Sequence, residues 1–333
     1  MTLKLAQSIG IIDVGHGNST VLIDDDGVVV IDAGPKSGLL EYLREQNITH
    51  VDILLISHAD QDHLGAVAQL LASNEFTLGR VALNSDGEKA SQAWDDMLYE
   101  LDQAALRKKV QLDISLVPDE TAKFDKGRVH VEVLGPSRYL AGKGPGGSDR
   151  DGRKITSNSI SAVIGLSVDG NRLLLLPGDI DEVGIDDLLA HEEMLKSPML
   201  VFPHHGGKPG SADIERYVEK LCGAVEPDIV VFSIGRGAYE TPSCRIVEEI
   251  QKKRPSARIM CTQLSEHCSE VVPEADRGYL NDVYCDGREC GICCAGTVLI
   301  KLDGTCDVLP HEDVHQAFIK GAIKQPLCMK GKP

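Results

Sequence analysis

The sequence predicts an α/β fold of two β-rich halves with helices between them. Short apolar runs bounded by turn residues recur along the chain, helical patterns separate them, and His and Asp concentrate where the runs end. Val21-Leu22-Ile23 and Val28-Val29-Val30-Ile31 flank Asp24-Asp25-Asp26-Gly27, whose Asp-Gly step suits a tight hairpin. Val51-Asp52-Ile53-Leu54-Leu55-Ile56 reads as a buried strand, and residues 63–72 as the helix after it. Residues 90–109 carry Trp94, Met97, Leu98, Leu101, Ala105 and Leu106 near helical spacing, which places Trp94 in the core. Residues 129–134 alternate as a strand does. In the second half, residues 172–176, 199–202, 227–233 and 257–261 are strand-like, with a helix expected around 246–253.

The densest chemistry is Ser57-His58-Ala59-Asp60-Gln61-Asp62-His63-Leu64-Gly65, directly after the strand 51–56. A helix cap explains one Asp but not two imidazoles and two carboxylates within six residues. Neutral imidazole with carboxylate suits zinc, manganese or iron. Pro177-Gly178-Asp179 follows the run 172–176, and Pro203-His204-His205-Gly206-Gly207 follows 199–202. Alone, Asp179 reads as a turn residue and His204 as a surface histidine. With the first cluster they become candidate ligands, because three strands then deliver Asp or His to one end of a sheet.

These segments resemble the metallo-β-lactamase superfamily, and within it the hydrolase domain of ComEC, the DNA-uptake competence protein, with its stand-alone relatives. The resemblance is carried by Ile12-Asp13-Val14-Gly15-His16-Gly17-Asn18, Val30-Ile31-Asp32-Ala33-Gly34, the motif from His58 to Gly65, Asn158-Ser159-Ile160-Ser161, Gly178-Asp179 and His204-His205-Gly206, in that order. It implies a four-layer αββα sandwich and a two-metal site binding Zn2+ or Mn2+. His58 and Asp60 would serve one metal and Asp62 and His63 the other, with Asp179 bridging and His204 or His205 closing a shell. Asp62, His63 and Asp179 would be the catalytic set, and Asp13 and Asp32 would orient ligand histidines. Asn158, Ser159 and Lys208 are the candidate substrate-binding residues.

The chain departs from the family pattern in several places. Asp60 stands where the commoner motif has a second histidine, which hardens the site and makes manganese a rival to zinc. Gly15-His16-Gly17-Asn18 replaces Gly-Gln-Gly-Asp, leaving the role of His16 open. The separate third histidine has no clear counterpart: His130 alone lies in that interval, and its strand position suggests a packed residue. Tyr239-Glu240-Thr241-Pro242 only partly matches the family's Tyr-Gly-His-Pro, so no last ligand carries over to it.

The 333 residues carry a formal charge of −17, which argues against broad nonspecific binding to nucleic acid and favours a small phosphoester or a single-stranded end. No apolar run is long enough to span a membrane, and no signal peptide is visible, so a cytoplasmic protein without a membrane partner is expected. Residues 137–157 are rich in Gly with Arg150, Arg153 and Lys154; they read as a mobile surface loop and a candidate lid over the metals. Ten cysteines without an export signal speak against disulfides. The gap in Cys290-Gly291-Ile292-Cys293 resembles a zinc knuckle. Cys261, Cys268, Cys290, Cys293 and Cys294 are therefore candidates for an additional structural Zn2+, against the alternative of reduced, partly buried thiols.

The expected organisation is one hydrolase domain over residues 1–308, including the Cys-rich segment 261–294, and a C-terminal tail over 309–333. The expected function is a metal-dependent hydrolase, a phosphodiesterase or nuclease using a metal-bound hydroxide on a phosphoester, nucleic acid or nucleotide. Stand-alone relatives often neighbour bacterial defence genes, which extends the resemblance to such a system. Two alternatives stay open: a lactonase or thioesterase acting on a carbonyl, disfavoured by the few aromatics, and a non-catalytic sensor or subunit with a protein partner docked on the Cys-rich segment.

Overall fold

The computed structural model describes residues 7–329, apart from 108, 120, 192, 193, 211 and 212. The first half supplies strands β1 (Ser8–Ile11), β2 (Thr20–Asp24), β3 (Gly27–Ile31), β4 (His50–Ile56), β5 (Thr77–Leu83) and β6 (Gln111–Asp113). The second supplies β7 (Val129–Gly135), β8 (Val163–Val168), β9 (Asn171–Leu176), β10 (Met199–Val201), β11 (Ile229–Phe232) and β12 (Arg258–Cys261). β13 (Val298–Lys301) and β14 (Val308–Leu309) then return to the first sheet. One sheet runs β14-β13-β1-β2-β3-β4-β5-β6 and the other β12-β11-β10-β9-β8-β7. The hairpin closes with Asp24 opposite Gly27.

Alternate side chains of each central strand belong to different cores, as the two-residue period of a strand requires. Leu54 and Ile56 of β4 face the helices Gly38–Glu45, Val67–Ala72 and Gln92–Leu106, with Leu39, Leu43, Val67, Leu70 and Trp94. Ile53 and Leu55 turn the other way, into an apolar layer between the sheets that includes Ile164, Leu166, Leu174 and Leu176. On the far side, Leu175 and Val230 meet the helices Glu182–His191, Ile214–Val225, Cys244–Lys253 and Glu312–Ala322 through Leu188, Val218, Ile246 and Phe318. Three successive cores thus make the four layers of an αββα sandwich. Burial on both faces explains why the strands read as near-continuous apolar runs.

Two expectations change in detail. The helix expected over 63–72 is two pieces, Gln61–Leu64 and Val67–Ala72. Between them the backbone is pulled onto the loop after β3, where Ala33 N donates to His63 O and Ala66 N to Ala33 O. The segment 137–157 contains a helix, Arg138–Lys143, and Arg153 is committed to Asp149 and Asp186. Residues from 309 onward also contribute structure: β14 crosses that boundary, and Phe318, Ile319 and Leu327 are buried in the outer core. No helix among the described residues is long and apolar enough to cross a membrane.

Candidate metal centre

Parallel pairing of β3 with β4, of β9 with β10, and of β10 with β11 aligns the carboxyl ends of these strands at one edge of the sandwich. Asp32 follows β3, Ser57 and His58 follow β4, Asp179 follows β9, His204 and His205 follow β10, and Ser233 follows β11. Crevices outside the carboxyl ends of parallel strands are where α/β proteins bind ligands.

Asp32 organises the first strand end. Its Oδ1 accepts from Ser57 N at 2.7 Å, and its Oδ2 accepts from Ser57 Oγ at 2.9 Å and from His63 Nδ1 at 2.7 Å. A carboxylate can only accept, so His63 carries its proton on Nδ1 and presents the Nε2 lone pair inward. His58 Nδ1 lies 3.0 Å from Ser57 Oγ, a hydroxyl already donating to Asp32, and takes the same tautomer. His205 Nδ1 donates to Ser233 O at 2.8 Å, so its Nε2 faces inward as well.

Asp62, His63, Asp179 and His205 each bring one ligand atom within 4.8 Å of the others. His63 Nε2 is 3.3 Å from Asp179 Oδ1, and His205 Nε2 is 3.1 Å from Asp62 Oδ2. Asp179 is held by His204 N, which donates to Oδ1 at 2.8 Å, while Asp179 N donates to Ser161 Oγ at 3.0 Å. His204 and His205 both adopt φ near +53°, a conformation costly for residues with a Cβ and found where a site demands it. Gly178 is required beside them: a Cβ there would meet Ser161 Oγ at 2.2 Å. Gly17 is required too, since at φ +144° its Cβ would meet Asp62 O at 2.6 Å. The Gly15-His16-Gly17-Asn18 motif thus braces the ligand helix from outside, with Asn18 N donating to Asp62 O at 3.0 Å.

Burial alone would raise the Asp62 and Asp179 carboxyls. Without a cation the inward Nε2 atoms can also take up protons: the resulting hydrogen bond from His205 and the charge of His63 outweigh burial for Asp62, and the charges of His63, His204 and His205 do so for Asp179, so both lie below the usual range. Burial would lower His63, yet Asp32 and Asp179 hold it well above an ordinary imidazole. His16, 3.7 Å from Asp62 and with its ring tilted against that of His205 at a centroid distance of 4.4 Å, is pushed down to about 4 by burial and His205. The fit to a cation rests on His63, the member of the group of four whose Nε2 is buried without a hydrogen-bond partner; Nε2 of His58 and of His204 are likewise unpartnered beside the group. Imidazole nitrogens aimed together with carboxylates suit a divalent metal.

His58 and Asp60 stand apart from this group of four. Asp60 Oδ2 is 3.5 Å from His58 Nε2, and Asp60 Oδ1 receives the ammonium of Lys89. Burial would raise the Asp60 carboxyl, but His58 and Lys89 bring it down to about 2. His130 faces solvent on the edge strand β7, paired with Asp125 at 2.8 Å. It neither packs nor reaches the site.

Other expected residues fall in different places. Asp13 touches no ligand histidine; it accepts from Gly15 N, Gln263 Nε2 and the Cys293 thiol, and so pins loops together. Ser159 is buried and spends its hydroxyl on Asp181 at 2.6 Å, while Asn158 Oδ1 is buried without a partner. Lys208 lines the open cleft of about 880 Å³ over the candidate ligands, with Lys36, His16 and Tyr239. Among the described residues, none from 137–157 lines that cleft. The five cysteines expected together divide: Cys290 is exposed, Cys293 lies against Asp13, and Cys261, Cys268 and Cys294 line another cavity with Cys328.

Ser57, Ser161, Ser233, Lys36 and Lys89 went unrecognised in the sequence. Ser57 and Ser161 sit inside quoted motifs, where a hydroxyl next to a ligand is a usable signal. Lys89 lies far along the chain from Asp60 and has none.

The model of the metallo-beta-lactamase superfamily matches residues 12–232, and the chain belongs to that superfamily. It is 23% identical over 281 residues to ComE operon protein 3 of Bacillus subtilis (strain 168), covering 76% of this chain and 31% of that protein, so the chain spans about a third of the relative's length. Among solved structures, YhfI from Bacillus subtilis, a metallo-beta-lactamase fold protein, matches with a TM-score of 0.46 at 10% identity, over 76% of this chain and 96% of that one. Igni18, a metallo hydrolase of the archaeon Ignicoccus hospitalis KIN4/I, matches with a TM-score of 0.44 at 16% identity, over 76% and 94%.

Proposed function

We propose that this superfamily member is a phosphodiesterase, acting on a nucleotide or a single-stranded nucleic-acid end. The observation that carries this reading is the rim of the cleft: the exposed lysines Lys36 and Lys208 border the metal ligands, and an exposed tyrosine, Tyr239, stands beside them. Lysines match the oxygens of a phosphodiester, and an aromatic face at the mouth accepts a base by stacking. An acyl substrate would call for an apolar pocket, and this rim is not one.

Asp62, His63, Asp179 and His205 would hold the metal, and a divalent cation there polarises a phosphoryl oxygen and makes water a nucleophile near neutral pH. Asp32 and Ser57 fix the tautomer of His63 and His58, and Ser233 O that of His205. His16, whose imidazole burial and His205 push down to about 4, lines the mouth of the cleft beside Asp62. Two carboxylates with two imidazoles suit manganese as well as zinc. A non-catalytic binding subunit is the second reading, favoured by one observation: Lys89 neutralises Asp60, which a two-metal enzyme would use as a ligand.

The test is a screen of apo protein reloaded with zinc or manganese against bis-p-nitrophenyl phosphate, linear and circular DNA, RNA, cyclic nucleotides and a lactone. Phosphodiester turnover is expected with either metal, and Lys36→Ala with Lys208→Ala should raise KM more than it lowers kcat. Turnover of the lactone alone would replace the phosphodiesterase with a carbonyl-directed hydrolase. No turnover of any substrate, with metal bound, would favour the subunit.

A further inference from the structure

One wall of the cleft over the candidate ligands is built under backbone strain. Tyr239 and Glu240 both hold a left-handed conformation, with φ of +53° and +49°, where glycine is the ordinary residue. Such conformations persist in residues with a Cβ only where the surroundings over-determine them, and they cluster at ligand clamps. Here the pins come from several places. His267 Nε2 donates to Glu240 O at 3.1 Å, Thr241 Oγ1 to Ala238 O at 3.3 Å, and Ser265 Oγ to Thr241 O at 2.9 Å. The fold thus fixes this turn through its backbone and leaves the Tyr239 and Glu240 side chains exposed on the cleft.

The two side chains offer different chemistry. Tyr239, 81% exposed, ends a column of rings that rises from the candidate ligand His205: the His16 ring lies 4.4 Å from that of His205 and 4.6 Å from that of Tyr239, centroid to centroid. An open aromatic face at the end of this column accepts any nucleobase by stacking. Glu240 adds a choice among bases, because a carboxylate only accepts hydrogen bonds and has two oxygens to do so side by side. Among the common bases, guanine alone sets two N–H donors, on N1 and N2, next to each other on its pairing edge. Adenine and cytosine place an acceptor nitrogen beside the amino group, and uracil and thymine flank N3–H with carbonyls. Each of these turns lone pairs towards the carboxylate.

We propose that Tyr239 and Glu240 form a base clamp that selects guanine nucleotides, with Tyr239 stacking on the base and Glu240 accepting from its N1–H and N2–H. The clamp rests on the phosphodiesterase reading above and names the nucleotide that the cleft takes. Lys36 and Lys208, on the rim of the same cleft, hold the phosphate end, so base and phosphate meet side chains of opposite charge at one mouth. The pairing edge of guanine is free in a mononucleotide or an unpaired strand end and occupied in a duplex. A formal charge of −17, which repels long polyanions, points to the same small or single-stranded ligands.

The experiment measures binding, which keeps it apart from turnover. The full chain reloaded with zinc is titrated with GMP, IMP, AMP, CMP, UMP and ribose 5-phosphate by isothermal calorimetry. GMP is expected to bind about 10-fold more tightly than AMP, with IMP, which lacks the N2 amino group, in between. Glu240→Gln should bring GMP to the level of AMP, and Tyr239→Ala should weaken every nucleotide about 10-fold but not ribose 5-phosphate. Both side chains are exposed, so neither change removes a packing group. Equal affinity for GMP and AMP, a GMP preference that survives Glu240→Gln, or no measurable nucleotide binding would each overturn the clamp. A GMP preference lost in Glu240→Gln upholds it even where no phosphodiester is hydrolysed, and the phosphodiesterase reading alone then falls. Turnover of phosphodiesters without a base preference sinks the clamp and leaves that reading standing.

Discussion

Two corners of the candidate metal centre grow from the same six residues and end differently. At the inner corner, Asp62 and His63 meet Asp179 and His205, and the carboxylates are surrounded by imidazoles whose lone pairs converge. At the outer corner, His58 and Asp60 meet Lys89, whose ammonium already neutralises the carboxylate. A ligand motif therefore does not settle how many metals bind; the charge that the rest of the fold brings to each carboxylate does. The positive charge at the inner corner sits on imidazoles that can give up a proton to a metal, whereas the Lys89 ammonium at the outer corner stays charged, so a first metal is expected at the inner corner and a second only in competition with Lys89.

The largest effect should come from breaking the inner corner. Asp62→Ala and His63→Ala are each expected to reduce turnover to background and remove the tightly bound metal, with an unchanged circular dichroism spectrum. Full activity in either variant would end the hydrolase reading. Asp32→Asn is milder, because it releases the His63 tautomer while all four inner ligands stay; metal affinity should fall about 10- to 100-fold, measured by competition with a chelating dye.

The outer corner is tested by Lys89→Met. Removing the ammonium should raise metal content by elemental analysis from about one towards two per chain, since Asp60 and His58 then share an uncompensated charge. An unchanged content would mean that the missing third histidine, and not Lys89, limits that corner.

The smallest effect is a pH dependence of the metal-free protein. The Asp60 carboxyl, held at about 2 in the fold against an ordinary 3.8, contributes stability that is fully present above pH 3.8 and is lost as pH falls through 2. In Lys89→Met the carboxyl should titrate nearer its ordinary value by NMR, and that acid-side loss should shrink. A carboxyl still at about 2 would assign the shift to His58 alone.

Much of the fold was readable because its signals are local. The apolar runs of β3, β4 and β9 and the Asp-Gly hairpin depend on the two-residue period and on turn chemistry, which neighbours in sequence express. The split of the expected helix at Gly65 and Ala66 was not readable, since the bonds that cause it come from Ala33 in the loop after β3.

The same division runs through the site. Which side chains could be ligands was legible along the chain, because Asp62, His63, Asp179 and His205 lie in short motifs that follow strand ends, and a strand fixes the direction in which the chain leaves the sheet. Only the tertiary structure decided which of them converge, that Lys89 occupies Asp60, that Asp13 braces loops instead of a histidine, and that Cys328 replaces Cys290 beside Cys261, Cys268 and Cys294. These are pairings between residues tens to hundreds of positions apart. Each depends on where packed sheets and helices place a side chain, and no periodicity or spacing along the chain carries that information.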